Sequence, residues 1–255
     1  MGLEEKIRRL VGKAIFGYEL LRDGDHVLVA FSGGEDSLVL THFLSFWKDK
    51  VRIRAKLTAI HLDMGFPKEE DKYLSGISFL KAFCEKRGIE FIFEKTNYGL
   101  QAISAFDEGR VNPCFVCSWH RRKHFFRIAE KLEANKIAFG HHQDDVLTTF
   151  FMNLFFHGEI SALVPSQEMF KGKLYIIRPL YFVEKQLISS FVAEKGWQVL
   201  ENPCPFSKGT MRNAVNELLQ QKVYPLNPKV KKSIFKALFN PRLDYLPKPP
   251  KKKFE

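Results

Sequence analysis

The segment from His26 to Ser37, HVLVAFSGGEDS, limits what this chain can fold into. Its apolar run, His26 to Phe31, is too short and too uniformly hydrophobic for an amphipathic helix and reads as a buried strand. Two glycines follow, and a helical pattern then runs from Asp36 to about Trp47. A strand with no polar face needs cover on both sides of its sheet. The glycines let backbone approach an anion closely, and the next helix aims unsatisfied N–H groups and its positive dipole end at the same point. Ser32-Gly33-Gly34-Glu35-Asp36-Ser37 therefore has the makings of a phosphate cradle. The G-x-x-x-x-G-K-S/T string of common nucleotide hydrolases and the G-x-G-x-x-G of dinucleotide folds are both absent. An ordinary strand-to-helix turn would explain the glycines alone, but not the whole hexapeptide at such a junction.

The same alternation recurs. Strands are predicted at Leu57–Leu62, Phe91–Glu94, Ile137–Phe139 and Leu174–Ile177, and helices at Glu69–Arg87, Cys117–Ala134, Asp144–Phe156 and Glu184–Lys195, with 96–113 irregular. An amphipathic helix over Glu4–Leu21, stopped by Gly24, precedes them. This order predicts an α/β fold, a Rossmann-like parallel sheet with helices on both faces, whose ligands bind beyond the carboxyl ends of the strands. The expected organisation is an N-terminal helix (1–24), a nucleotide-binding domain (25–201) and a proline-rich, basic extension (202–255) with one helix at Met211–Lys222 and a mobile KPPKKKFE tip.

Charge sharpens the picture. The 255 residues carry a formal net charge of +11, with twelve Lys/Arg against three Asp/Glu in 205–255 and a nearly neutral remainder. A basic last fifth suits a polyanion, nucleic acid ahead of an acidic membrane surface. The hydrophobic share of 45% excludes a disordered chain, and four cysteines exclude a disulfide scaffold. The start of the chain is too charged for a signal peptide, and the most apolar run, Val146–Phe156, is far short of the ~20 residues a membrane helix needs. A cytoplasmic protein without a membrane partner is expected, with cysteines serving as ligands or catalysts.

Cys114 and Cys117 form PCFVC at a helix start, beside His120, Arg121, Arg122, Lys123 and His124; Cys204 stands in NPCPFS. Helix start and cations should lower the thiol pKa values. Three thiolates suit a 4Fe-4S cluster with one open iron, a zinc site completed by His120 or His124, or a persulfide relay. Cys84, among helical apolar positions, reads as core. Gly140-His141-His142-Gln143-Asp144-Asp145 follows a strand and opens a helix, where Gln143 or Asp144 could cap it; His141 and His142 are adjacent and point apart, so they do not share one ion. His61 and Asp63 end the second strand, either near a nucleotide or as a plain turn.

SGGEDS resembles the SGGxDS signature of the PP-loop ATP pyrophosphatases, which split ATP between the α and β phosphates and adenylate a substrate. The resemblance implies pyrophosphate held by Ser32, Gly33, Gly34 and Ser37, Mg²⁺ at Asp36, a substrate and nucleotide loop at Gly140 and His141 with Asp144 catalytic, and adenosine near His61 and Asp63. PCFVCSWHRR, IAFGHHQDDVLTTFFMNLFFHGEISAL, IIRPLYFVEK and NPC, in that order, are similar to the 2-thiocytidine (TtcA) group of tRNA sulfurtransferases. That implies a 4Fe-4S cluster on Cys114, Cys117 and Cys204, with a cluster-binding insertion near 97–122 and Cys114 and Cys204 catalytic. It further implies ATP as co-substrate, tRNA as partner and the basic extension as its contact, a sulfide donor or cysteine desulfurase, and a homodimer. The stretch CPFSKGTMRNAV departs from the C-x-x-C-G-S ending of that group towards the C-P-Y-S of the tRNA 2-thiouridine (TtuA) enzymes, whose flanking zinc motifs are absent here. The base acted on therefore stays open between cytidine and uridine. Lysidine ligases share the loop but not the cysteine set, and a zinc-bearing RNA-binding module would not need the loop.

Overall fold

In the computed structural model, which describes residues 2–107, 113–207 and 209–247, β1 (His26–Ala30) is the pivot of the sheet. Val27, Leu28 and Val29 are fully enclosed because parallel strands flank β1 on both sides, β2 (Lys56–Asp63) and β4 (Lys136–Ala138). β3 (Glu90–Lys95) pairs with β2 and β6 (Leu174–Ile177) with β4, all parallel, giving the order β3-β2-β1-β4-β6-β5. The chain moves outward one way from β1 and the other way from β4. Between these two strands lies the switch point where ligands of such sheets bind.

β5 (Ser166–Met169) adds an antiparallel edge to the expected parallel sheet: it pairs with β6 through a turn in which Phe170, Lys171 and Gly172 all have positive φ. An edge strand with the sequence SQEM offers no apolar run to read.

Helices cover both faces. α5 (Pro113–Lys131) sets Phe125, Ile128 and Ala129 against Leu28, Ile60 and Ile137. On the opposite face α2 (Glu35–Val51), α3 (Glu70–Glu85) and α7 (Lys185–Lys195) meet through the rings of Phe43, Phe83, Phe191 and Trp197, and α1 (Leu3–Gly17) packs Gly12 on Trp47. Strand alternation sends neighbouring β1 residues to opposite faces, so one short strand seeds both cores. At the amino ends of β1 and β4, buried Lys136 reaches Asp25 at 2.5 Å and the Leu20 carbonyl at 3.1 Å.

Part of the expected irregular stretch is instead α4 (Tyr98–Asp107). Its buried positions are Gly99 and Ala102, small residues that allow close approach; the Gly99 N–H donates to the Met64 carbonyl at 2.6 Å, while Leu100 and Phe106 face outward. A helix that packs by its small residues carries no apolar stripe for periodicity to detect. Residues 108–112 of the expected insertion, and the lysine-proline tip from 248 onward, lie outside the described residues.

Two compact units result. The first, Met1–Val146 with Leu163–Thr210, holds the sheet. The second, Leu147–Ala162 with Met211–Glu255, contains α8 (Met211–Leu218), continued by a π-helical turn to Val223, and α9 (Val230–Ala237), with Val215, Leu219 and Phe235 buried and Arg212 donating to Thr149 Oγ1 at 2.9 Å. α9 was not legible in the sequence, being only eight residues long. The boundary between the units falls inside α6 (Gln143–Met152). Among the described residues no helix is long and apolar enough to cross a membrane.

Candidate active site

The loops after β1, β4 and β6 converge at the switch point. In the first, Gly33 adopts φ +81°, and a Cβ there would stand 2.8 Å from Leu200 Cβ, so only glycine fits. The turn is tied by its own serines. The buried Ser37 hydroxyl donates to the Gly34 carbonyl at 2.9 Å and accepts from the Gly33 N–H at 3.0 Å, and Ser32 Oγ accepts from the Gly34 N–H at 3.3 Å. Ser32, Gly33, Gly34 and Ser37 thus form a tied turn at the start of α2, whose cap position Gly34 brings no side chain of its own. Leu200 N–H donates to the Gly33 carbonyl at 2.9 Å, stitching the segment that leads to Cys204 onto this turn.

Gly140 lies against the start of α2: a Cβ there would be 3.1 Å from the Asp36 carbonyl carbon. The two histidines after it diverge. His141 Nδ1 accepts from Arg178 Nε at 3.4 Å, and Arg178 is itself buried, with burial lowering it to about 10. His142 is buried among carboxylates, its Nε2 3.3 Å from Asp145 Oδ2 and 3.8 Å from Asp36 Oδ1, its Nδ1 3.8 Å from Asp144 Oδ2. Asp145 also accepts from the His142 N–H at 3.1 Å, a capping contact at the start of α6.

Asp144 is buried, and its Oδ2 accepts the Lys185 backbone N–H at 2.8 Å. It therefore caps α7, holding the third loop to the second. Lys185 in turn places Nζ 2.6 Å from Asp36 Oδ1 and 3.0 Å from Glu35 Oε2, and Ser189, one turn along α7, donates to Glu35 Oε2 at 2.6 Å. Burial alone would lower the Lys185 pKa, but the two carboxylates raise it. Burial would likewise raise Glu35, and the bonds from Ser189 and Lys185 hold it below its ordinary value instead. Sequence reasoning gave Lys185, Arg178 and His142 no role, although the first two stand in IIRPLYFVEK, a string similar to a sulfurtransferase group.

His61 and Asp63 sit at the carboxyl end of β2 with their polar atoms committed inward. His61 bonds the Phe31 carbonyl at 3.0 Å and Tyr73 Oη at 2.9 Å, and burial lowers its pKa. Asp63 pairs with Lys68 at 2.5 Å and accepts the Gly65 N–H at 2.9 Å.

The four cysteines are all thiols, Cys84 buried in the core and pushed up to about 12 by that burial. Cys114 is exposed, and Cys117 and Cys204 are partly so. The expectation of lowered thiols is corrected. Burial and the nearness of Cys204 raise Cys114. Burial also raises Cys117, opposed by Arg121, with Cys204 and Cys114 adding to the rise. A cation bound at Cys114 and Cys117 would favour their thiolate forms against that rise. Among the described residues no three His, Cys, Asp or Glu side chains converge as a ready cage for one ion. An iron-sulfur cube asks less convergence, since each cysteine binds a different iron, and a three-thiol set of this chemistry fits it. His124 does not complete a zinc site: its ring nitrogens are taken by Tyr98 Oη at 2.8 Å and Glu94 Oε2 at 2.6 Å. His120 stacks on Tyr98.

A family profile described as the PP-loop domain matches residues 3–223. The chain is 33% identical over 245 residues to a tRNA-cytidine(32) 2-sulfurtransferase of Marinomonas sp. strain MWYL1, covering 93% of this chain and 83% of that protein. To a protein of the same name from Cupriavidus metallidurans it is 34% identical over 222 residues, 86% of this chain and 68% of the other. Among solved structures, the U34-tRNA thiolase NcsA from Methanococcus maripaludis with its 4Fe-4S cluster superposes with a TM-score of 0.76 at 24% identity, over 96% of this chain and 81% of that one. An NAD⁺ synthetase from Burkholderia pseudomallei gives 0.51 at 14% identity, over 96% and 91%. At these identities the two solved structures speak to the fold.

Proposed function

Because this chain belongs to the PP-loop domain family, in company with the tRNA-cytidine(32) 2-sulfurtransferases, we propose that it is an ATP-dependent tRNA 2-thiolation enzyme acting on a pyrimidine, cytidine first. The observation that carries the reading is the bond from Leu200 N–H to the Gly33 carbonyl. Four further residues reach Cys204, and four residues of chain span at most ~14 Å, so Cys204, one thiol of the set, is tethered within that reach of the phosphate cradle.

Adenylation joins the 2-oxo oxygen of the base to the α-phosphorus of ATP and breaks the bridge to the β-phosphate, turning a poor leaving oxygen into a phosphate ester. The chain's part is to receive the departing pyrophosphate on Ser32, Gly33, Gly34, Ser37 and the start of α2, where developing charge meets fixed dipoles. Asp36 would hold the metal side of the phosphates. The ends of β2 and β4, with His61, Asp63, Gly140 and His141, would form the adenosine wall, and Asp144 would orient the third loop against the reacting phosphate. When bound, Mg²⁺ supplies charge neutralisation at the phosphates, and a 4Fe-4S cluster on Cys114, Cys117 and Cys204 supplies an open iron for a sulfide. Sulfide from a donor, or the persulfide sulfur of a cysteine desulfurase reduced to sulfide by an external thiol that leaves as disulfide, would replace the ester oxygen at C2, with AMP leaving. Lysines of the basic extension would grip the tRNA backbone. The setting would be the cytoplasm and the assembly a homodimer. Uridine is the second reading, favoured by the Cys204-Pro-Phe-Ser ending.

Anaerobic purification of the chain and of C84A, C114A, C117A and C204A tests the cofactor. Iron and acid-labile sulfide should be present in the unsubstituted protein and in C84A and fall in the other three; colourless protein containing zinc would overturn the cluster. Mass spectrometry of tRNA nucleosides from a deletion strain tests the reaction. Loss of a 2-thiopyrimidine nucleoside is expected, and an unchanged nucleoside profile would exclude tRNA thiolation.

A further inference from the structure

A carboxylate in the second half of SGG-Glu-Asp-S is awkward for a polyphosphate site, since Glu35 adds negative charge on the first turn of the helix that would receive the phosphates. The fold answers this from a distant part of the chain. Lys185 and Ser189 stand four residues apart on one side of α7, and both bind Glu35 Oε2, at 3.0 Å and 2.6 Å. Glu35 is thereby drawn towards α7. The same ammonium reaches Asp36 Oδ1 at 2.6 Å, and its backbone N–H is fixed by buried Asp144. The lysine is thus anchored at its base by the second loop and spans both acids of the first.

We propose that Lys185 is the positioning residue that makes this acidic phosphate loop competent for Mg·ATP, by neutralising Glu35 and holding Asp36 until the metal replaces it there. Lys185 and Glu35 form a matched pair: the carboxylate without the ammonium is harmful, and the loss of both is tolerated. When the metal arrives, the ammonium retains Glu35 and gives up Asp36. The proposal rests on the ATP-dependent reading above.

The test is a double-mutant cycle on Mg·ATP binding by isothermal titration calorimetry, using the full chain and K185M, E35Q and E35Q/K185M, each checked for folding by circular dichroism and thermal melting. K185M should weaken Mg·ATP binding by about tenfold or more, because an unpaired carboxylate then faces the phosphates, while E35Q should bind at least as well as the unsubstituted chain. The double variant should recover to within about threefold of the unsubstituted chain. Unchanged affinity in K185M would overturn the proposal. A double variant as weak as K185M would also overturn it, because Lys185 would then act on the phosphates directly rather than through Glu35. Absence of Mg·ATP binding by the folded, unsubstituted chain would instead remove the ATP-dependent reading itself.

Discussion

His42 shows how a single residue of α2 responds to the packing of three other elements. Rings of Phe43, Phe191 and Trp197 surround it, Arg87 Nη2 donates to its Nδ1 at 3.3 Å, and Nε2 lies 3.8 Å from Glu4 Oε1. Burial first, and then the Arg87 charge, lower its pKa from 6.5 to about 4, with Glu4 opposing. The folded protein therefore holds this imidazole neutral where the unfolded chain protonates it. Its contribution to stability is present above pH 6.5 and is lost as pH falls towards about 4. Urea unfolding between pH 7.5 and 4.5 should show a smaller loss of stability for His42→Gln than for the unsubstituted protein; parallel curves would mean that other groups set the acid limit. In the sequence His42 is merely one polar letter in an apolar helix, and its environment comes from residues far along the chain.

At the scale of elements, the candidate site depends on how the starts of α2, α6 and α7 are bound to one another. Asp144 joins the second of these helices to the third by accepting the Lys185 N–H. Capping contacts of this kind are worth about 1 kcal/mol. Asp144→Asn keeps an acceptor for that N–H and should retain most of the stability, whereas Asp144→Ala should lose about 1 kcal/mol or more. If Asp144 also acts on the nucleotide, both variants should lose adenylation, measured as pyrophosphate release with tRNA present. Full activity in Asp144→Asn would leave Asp144 with a capping role alone. The sequence placed Asp144 at a helix start, and the structure gives it a capping contact on a different helix because the third loop folds back over the second. α4 teaches the complementary lesson, being invisible to periodicity because it packs through Gly99 and Ala102.

For the whole molecule, the uneven charge is the feature with a measurable consequence. Lys229, Lys232 and Lys236 are exposed at and along α9. Replacing all three with Gln should weaken tRNA binding and lower its salt slope by about one for each phosphate left without a lysine, with Mg·ATP affinity unchanged. Filter binding across a salt series measures the slope, and an unchanged slope would take α9 out of the tRNA-binding surface.

By itself the sequence determined the alternation of strand and helix, the glycine turn after β1, the core place of Cys84 and the carboxyl-end location of the site. These follow from patterns within a dozen or so residues, where backbone geometry and solvent exclusion act locally. Tertiary structure alone decided the antiparallel edge, the burial that raises Cys114 and Cys117, the inward commitment of His61 and Asp63, and the reach of Lys185 to Asp36 across 149 positions. Which charges meet is set by which helix faces pack together, and no local pattern encodes that.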